Sequence, residues 1–234
     1  MKKYYEEYWM ENRVLQGSPY DIWKKRVLYS INLNGENYLD IGCGNGDIAE
    51  PFIKKFQTYG ADISEYALKF ASEKGIITKC INANNPILSY EKDYFDNISC
   101  LDVLEHLIDP EKTTNEIYRI LKENGIFIVC VPNILNIFNR IFFARGEFVD
   151  VMDVAHRTNG LFSEHIKMFS KKKLEILINN SGFNILERHY YFPERFNEKK
   201  WQHLQFMGDI INKFKIPKII PSLFALGLLY VCRK

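Results

Sequence analysis

Tyr38-Leu39-Asp40-Ile41-Gly42-Cys43-Gly44-Asn45-Gly46-Asp47-Ile48-Ala49 is a short apolar run that passes directly into three alternate glycines. The run predicts a strand and the segment behind the glycines a helix, which makes the glycines the turn between them. Three Cβ-free positions in five residues permit a tight turn and let a ligand lie on main-chain N–H groups at a helix N-terminus. The stretch reads as a cofactor-binding loop.

The next strand end, Tyr59-Gly60-Ala61-Asp62-Ile63-Ser64, places Asp62 twenty positions after Gly42, the length of one strand–helix–strand unit. In doubly wound sheets an acid at this point accepts hydrogen bonds from ribose hydroxyls, so the loop and Asp62 together describe a nucleoside-type ligand. Dinucleotide folds favour G-x-G-x-x-G. Here the spacing is Gly42-x-Gly44-x-Gly46 behind Asp40, which disfavours a nicotinamide cofactor.

Outside this unit, 234 residues with 47% hydrophobic content suit one α/β domain with a full core. A net charge of +2 gives no basic field of the kind a nucleic-acid binder needs, so small-molecule substrates are favoured and no nucleic acid is expected. Cys43, Cys80, Cys100, Cys130 and Cys232 are scattered without C-x-x-C spacing and read as reduced thiols of a cytoplasmic protein. The N-terminal residues carry no apolar signal region, and the longest apolar stretch near the C-terminus is too short to span a bilayer. Strands are predicted near 37–41, 59–63, 78–83, 95–101 and 126–131, with two more over Ile185–Tyr191 and Leu223–Cys232. A helical stretch is predicted from Glu194 to Lys215, and Ser64 and Ser170 are expected helix N-caps.

Further segments carry a resemblance. Asp62-Ile63-Ser64 with Ala67 and Ala71, then Phe95-Asp96-Asn97-Ile98-Ser99-Cys100-Leu101-Asp102-Val103-Leu104-Glu105-His106-Leu107, follow the glycine loop in order. Asp109-Pro110 and Ile117-x-Arg119-Ile120-Leu121-Lys122-x-x-Gly125 come next, then Pro132-Asn133, His165-x-x-x-Phe169-Ser170 and Gly182-Phe183. Over roughly residues 36 to 190 plus a terminal strand, the chain resembles the class I S-adenosylmethionine-dependent methyltransferases of small-molecule type. The resemblance implies a Rossmann-like doubly wound α/β fold of seven strands, mostly parallel with an antiparallel last strand. It implies S-adenosylmethionine as cofactor and S-adenosylhomocysteine as product.

The resemblance also implies roles. Gly42, Gly44 and Gly46 admit the methionine moiety, Asp40 orients the loop, and Asp62 accepts the ribose hydroxyls. Ile63 packs on adenine, Asn82, Ala83 and Asn84 stand where the adenine amino group is read, and the Leu101 backbone meets the methionine amine. Residues 1–35 are expected to form an aromatic helical lid, with Tyr4, Tyr5, Tyr8 and Trp9 covering the cofactor or packing as ordinary core. Residues 36–132 would form the cofactor-binding core, 133–165 a substrate-side insertion with Asp150, Asp153, His156 and Arg157, and 166–234 the end of the sheet.

A methyl transfer to oxygen or nitrogen, on a sugar or another biosynthetic intermediate, asks mainly for alignment and a base. His106 is the first candidate, followed by His165 and His156, with Asp153 a further one. No metal site is expected. Lys213, Lys215 and Lys218 among apolar residues leave peripheral membrane contact open, against a plain turn. The competing classes are a catalytically silent methyltransferase-like partner subunit and a nicotinamide-dependent oxidoreductase.

Overall fold

The computed structural model describes residues 2–11, 18–84, 90–146, 165–192 and 220–234. Asp150, Asp153, His156, Arg157, the 194–215 stretch and Lys213, Lys215 and Lys218 lie outside them. Seven strands form one sheet: β1 (Asn37–Ile41), β2 (Gln57–Asp62), β3 (Ile77–Cys80), β4 (Phe95–Leu101), β5 (Leu121–Pro132), β6 (Asn184–Tyr191) and β7 (Gly227–Arg233). Their order is β3-β2-β1-β4-β5-β7-β6, and β7 runs antiparallel to both neighbours. The strand order reverses between β1 and β4, so the crevice for a ligand opens at the carboxyl ends of these two strands.

Among the described residues the longer helices are α1 (Lys2–Glu11), α2 (Pro19–Ser30), α3 (Glu65–Glu73), α4 (Pro110–Ile120), α5 (Ile137–Ala144) and α6 (Lys171–Asn180). Strand alternation sends successive side chains to opposite faces. Leu39, Ile41, Ile98, Phe127, Val129 and Tyr230 pack beneath α4 and α6. Tyr38, Ile128, Cys130, Leu229 and Val231 pack against α2 and α5. Ser64 and Ser170 cap α3 and α6 as expected, their hydroxyls accepting from the backbone amides of Ala67 and Lys173.

Three local expectations change. The helix predicted behind the glycine loop is a single 3₁₀ segment, Glu50–Lys54, because Pro51 removes an amide donor where an α-helix would need to extend. The fifth strand begins at Leu121 rather than 126; Asn124, with φ 63°, turns the chain before Gly125, and the register to β4 shifts there. The last strand begins at Gly227, preceded by a helical turn at Pro221–Phe224. Gly227 is needed because a Cβ there would stand 2.6 Å from the Tyr20 ring. Among the described residues, no helix is long and apolar enough to cross a membrane.

Candidate active site

The glycine loop is held from below and behind before any ligand is considered. Gly42 (φ 74°), Gly44 (φ 53°) and Gly46 (φ 83°) all take left-handed backbone that L side chains rarely adopt. The amides of Gly42 and Cys43 donate to the Ala61 carbonyl at 2.7 and 3.2 Å, tying the loop to β2. Gly44 N donates to Asp62 Oδ2 at 2.9 Å, and Ser64 N to Asp62 Oδ1 at 2.9 Å. Asp62 thus joins the loop to the start of α3. Burial raises its carboxyl above the usual range, against the opposing pull of the Ser64, Gly44 and Ile63 amides.

Below the loop, Tyr38 donates to the Ser99 hydroxyl at 2.6 Å, which donates to Asp40 Oδ1 at 2.5 Å. Burial pushes Asp40 up from its ordinary 3.8 to about 7; Ser99 opposes this and Asp62 adds to it. Between those two values the folded chain holds a proton that the unfolded chain releases, so this contribution is complete below pH 3.8 and is lost as pH rises through about 7. Stability measured by denaturant, wild type minus Asp40→Asn, should therefore fall between pH 4 and 7, by on the order of 3 kcal/mol. A flat difference would place the Asp40 carboxyl near its ordinary value.

A cavity of about 370 Å³ opens above the carboxyl ends of β1, β2 and β4. Gly42, Gly44, Asp62, Ile63, Asn82, Ala83, Asn84 and Leu101 line it, as do His106 and His165. Gly46 faces elsewhere: a Cβ there would meet Ile76 Cδ1 at 2.5 Å and Ala71 Cβ at 3.1 Å, so the loop sits closely on α3 and on the residue before β3. Asp40 is likewise buried beneath the loop. Asn82 Oδ1 accepts from Asn84 N at 3.0 Å, and Asn84 Oδ1 from Ile108 N at 2.6 Å, so both amides also shape the rim.

The helix α1 lies across this opening. Tyr5, Tyr8 and Trp9 line the cavity, and the Trp9 ring rests on Gly44, where a Cβ would stand 2.2 Å from Trp9 Cζ2. The Glu6 carboxylate accepts from the Ser64 hydroxyl (3.0 Å) and the Glu65 and Tyr66 amides (2.9 and 3.1 Å), and Lys2 pairs with Glu65 at 2.5 Å. An acid at the first turn of α3 complements its dipole and unsatisfied amides, which fixes α1 beside Asp62.

Two further groups escaped the sequence reading. The buried Lys24 pairs with Asp21 at 2.9 Å and with Asp102, which also accepts from the Tyr20 hydroxyl at 2.8 Å. Burial alone would lower the Lys24 ammonium, but Asp102 and Asp21 raise it above its ordinary value. Asp102 has φ 56°, a left-handed conformation for a non-glycine residue at the end of β4.

The other group is Glu105, which is 1% exposed and stands beside His106 in the turn Leu104–His106. The His106 and His165 ring centroids are 5.0 Å apart. Burial, aided by Asp102 and opposed by His165, pushes Glu105 up to about 8. The cysteines offer no nucleophile here, since burial drives the thiols of Cys43, Cys100 and Cys130 well up.

A parallel sheet with one antiparallel strand, a glycine loop after β1 and an acid at the tip of β2 define an α/β protein built for a nucleoside cofactor. The chain belongs to the class I S-adenosylmethionine-dependent methyltransferases: the methyltransferase domain family matches residues 15–188. It is 30% identical over 193 residues to the human mitochondrial arginine-hydroxylase NDUFAF5, covering 78% of this chain and 52% of that one. It is 32% identical over 101 residues to the ubiquinone biosynthesis O-methyltransferase of Pseudomonas fluorescens, covering 41% and 44%. The chain thus spans about half the length of these curated relatives. In fold it is similar to a SAM-dependent methyltransferase from Archaeoglobus fulgidus, with a TM-score of 0.67 at 19% identity, covering 97% of this chain and 99% of that one.

Proposed function

We propose that this methyltransferase carries the methyl group of S-adenosylmethionine to an oxygen or nitrogen of a small-molecule acceptor, such as a sugar or another biosynthetic intermediate. The observation that carries this reading is a single cavity under α1 that joins the glycine loop and Asp62 to Glu105, His106 and His165. The methionine end of the cofactor lies along Gly42, Gly44 and Leu101, the ribose meets Asp62, and the adenine meets Ile63 and the Asn82–Asn84 rim. The α1 helix acts as the lid, so Trp9 shares the surface over Gly44 with the cofactor. The relative named for ubiquinone O-methylation favours oxygen.

The sulfonium is already activated, so the protein's task is to align the acceptor with the methyl and relieve it of a proton. That proton is lost at the corner of the cavity formed by Glu105, His106 and His165. His106→Ala and His165→Ala should each lower turnover by about a hundredfold or more and leave S-adenosylhomocysteine affinity close to that of the wild type. The assay is release of S-adenosylhomocysteine during an acceptor screen. Wild-type turnover in both variants would remove the pair from the reaction.

A further inference from the structure

Glu105, His106 and His165 each offer one ligand atom, and these atoms all lie within 4.8 Å of one another. All three line the cavity. The backbone fixes this convergence: Glu105 and His106 share one 3₁₀ turn, and Lys167 N donates to the Glu105 carbonyl at 2.8 Å, tying down the segment that carries His165. Around a single ion with imidazole and carboxylate ligands, donor atoms stand about 3 to 3.5 Å apart, so the three side chains would draw together on binding one.

A separate observation says what is missing from this arrangement. Among the described residues, neither Glu105 Oε1 nor Oε2 has a hydrogen-bond partner, although the residue is 1% exposed. A buried carboxyl group left this way is costly whether ionised or protonated, and buried acids are retained when they are paired or coordinate a metal. The ammonium of Lys24 is already engaged by Asp102 and Asp21.

We propose that Glu105, His106 and His165 bind one divalent transition ion, of the Mn²⁺ to Zn²⁺ series, at the acceptor end of the cavity. Two imidazoles and one carboxylate suit first-row transition ions better than Mg²⁺ or Ca²⁺, and three protein ligands leave positions open toward the cavity. The sequence reading expected no metal because it weighed the two histidines separately, as alternative bases.

The consequence for chemistry rests on the methyl-transfer reading above. An acceptor hydroxyl bound to the ion loses its proton to solvent at lower pH than a free one. The resulting oxygen forms a C–O bond to the methyl as the C–S bond breaks, its electron pair passing to sulfur. The site therefore selects acceptors that present an oxygen ligand, and the histidines act by holding the ion.

The test uses the tag-free full chain stripped with chelator, titrated calorimetrically with MnCl₂ and ZnCl₂ with no cofactor or acceptor present. One equivalent should bind, and Glu105→Gln and His165→Ala should each weaken binding by about a hundredfold or more. Electron spin-echo spectroscopy of the Mn²⁺-loaded wild type should show imidazole nitrogen coupling, a readout that does not depend on any variant folding. No binding up to about 1 mM, no nitrogen coupling, or unchanged affinity in both variants would overturn the proposal. Because S-adenosylhomocysteine binding is measured separately, a failed metal site and a failed cofactor assignment give different results.

Discussion

Asp62→Ala lowers the affinity for S-adenosylhomocysteine by at least about tenfold, or 1.4 kcal/mol, and leaves the fold intact. Two losses combine. The ribose hydroxyls lose their acceptor, and Gly44 N and Ser64 N lose the carboxylate that holds loop and helix in register at 2.9 Å each. Charge-assisted bonds of this kind contribute about 1.5 to 3 kcal/mol apiece when removed. The carboxyl is raised by burial, so its removal also relieves a desolvation cost, and that is why the chain should still fold. Asp62→Asn retains the size and one acceptor and should fall between the two in calorimetry. Wild-type affinity in Asp62→Ala would take Asp62 out of the binding site.

Lys24→Met destabilises the chain by about 2 to 4 kcal/mol in denaturant unfolding. Breaking a buried ion pair leaves an uncompensated charge, and the cost is discounted here because Asp102 and Asp21 retain 23% and 31% exposure. Methionine fills most of the volume of the lysine stem, while the contact of the ammonium with the Tyr20 ring, 4.6 Å to its centroid, is lost with the charge. Adding Asp102→Asn to the same chain should recover part of the loss, because the stranded carboxylate is then gone. Strict additivity of the two substitutions would mean that Lys24 contributes by packing alone.

The parts of this molecule that were legible in the sequence are local. Tyr38–Gly46 and Tyr59–Ser64 each announce a strand running into a turn, and Ser64 and Ser170 announce the helices they cap, because the deciding contacts lie within a few residues. The glycine pattern pointed to a ligand site, and Gly42 and Gly44 line the cavity, yet it could not tell that Gly46 faces Ile76. The helix expected behind the loop is a short 3₁₀ segment at Pro51, a breaker visible in the sequence that the strand–turn–helix pattern alone does not register.

What was not legible depends on distance along the chain. Lys24 and Asp102 are separated by 78 positions, so nothing in either neighbourhood signals a buried pair. Glu105 was passed over beside His106, since only the fold brings His165 to the same corner. The aromatic run at Tyr4–Trp9 suggested a lid or core, and only the fold places Trp9 on Gly44.

The most direct measurement is thermal unfolding of the purified chain with S-adenosylmethionine, S-adenosylhomocysteine, NAD and NADP, each near a hundred times a plausible dissociation constant. Saturation of that order adds about 2.7 kcal/mol, or roughly 5 to 10 °C for a chain of this size. A shift of this size with the two adenosyl ligands and none with the nicotinamides is the predicted result. A shift with NAD or NADP alone, or no shift with any of the four, would contradict the cofactor assignment on which the account rests.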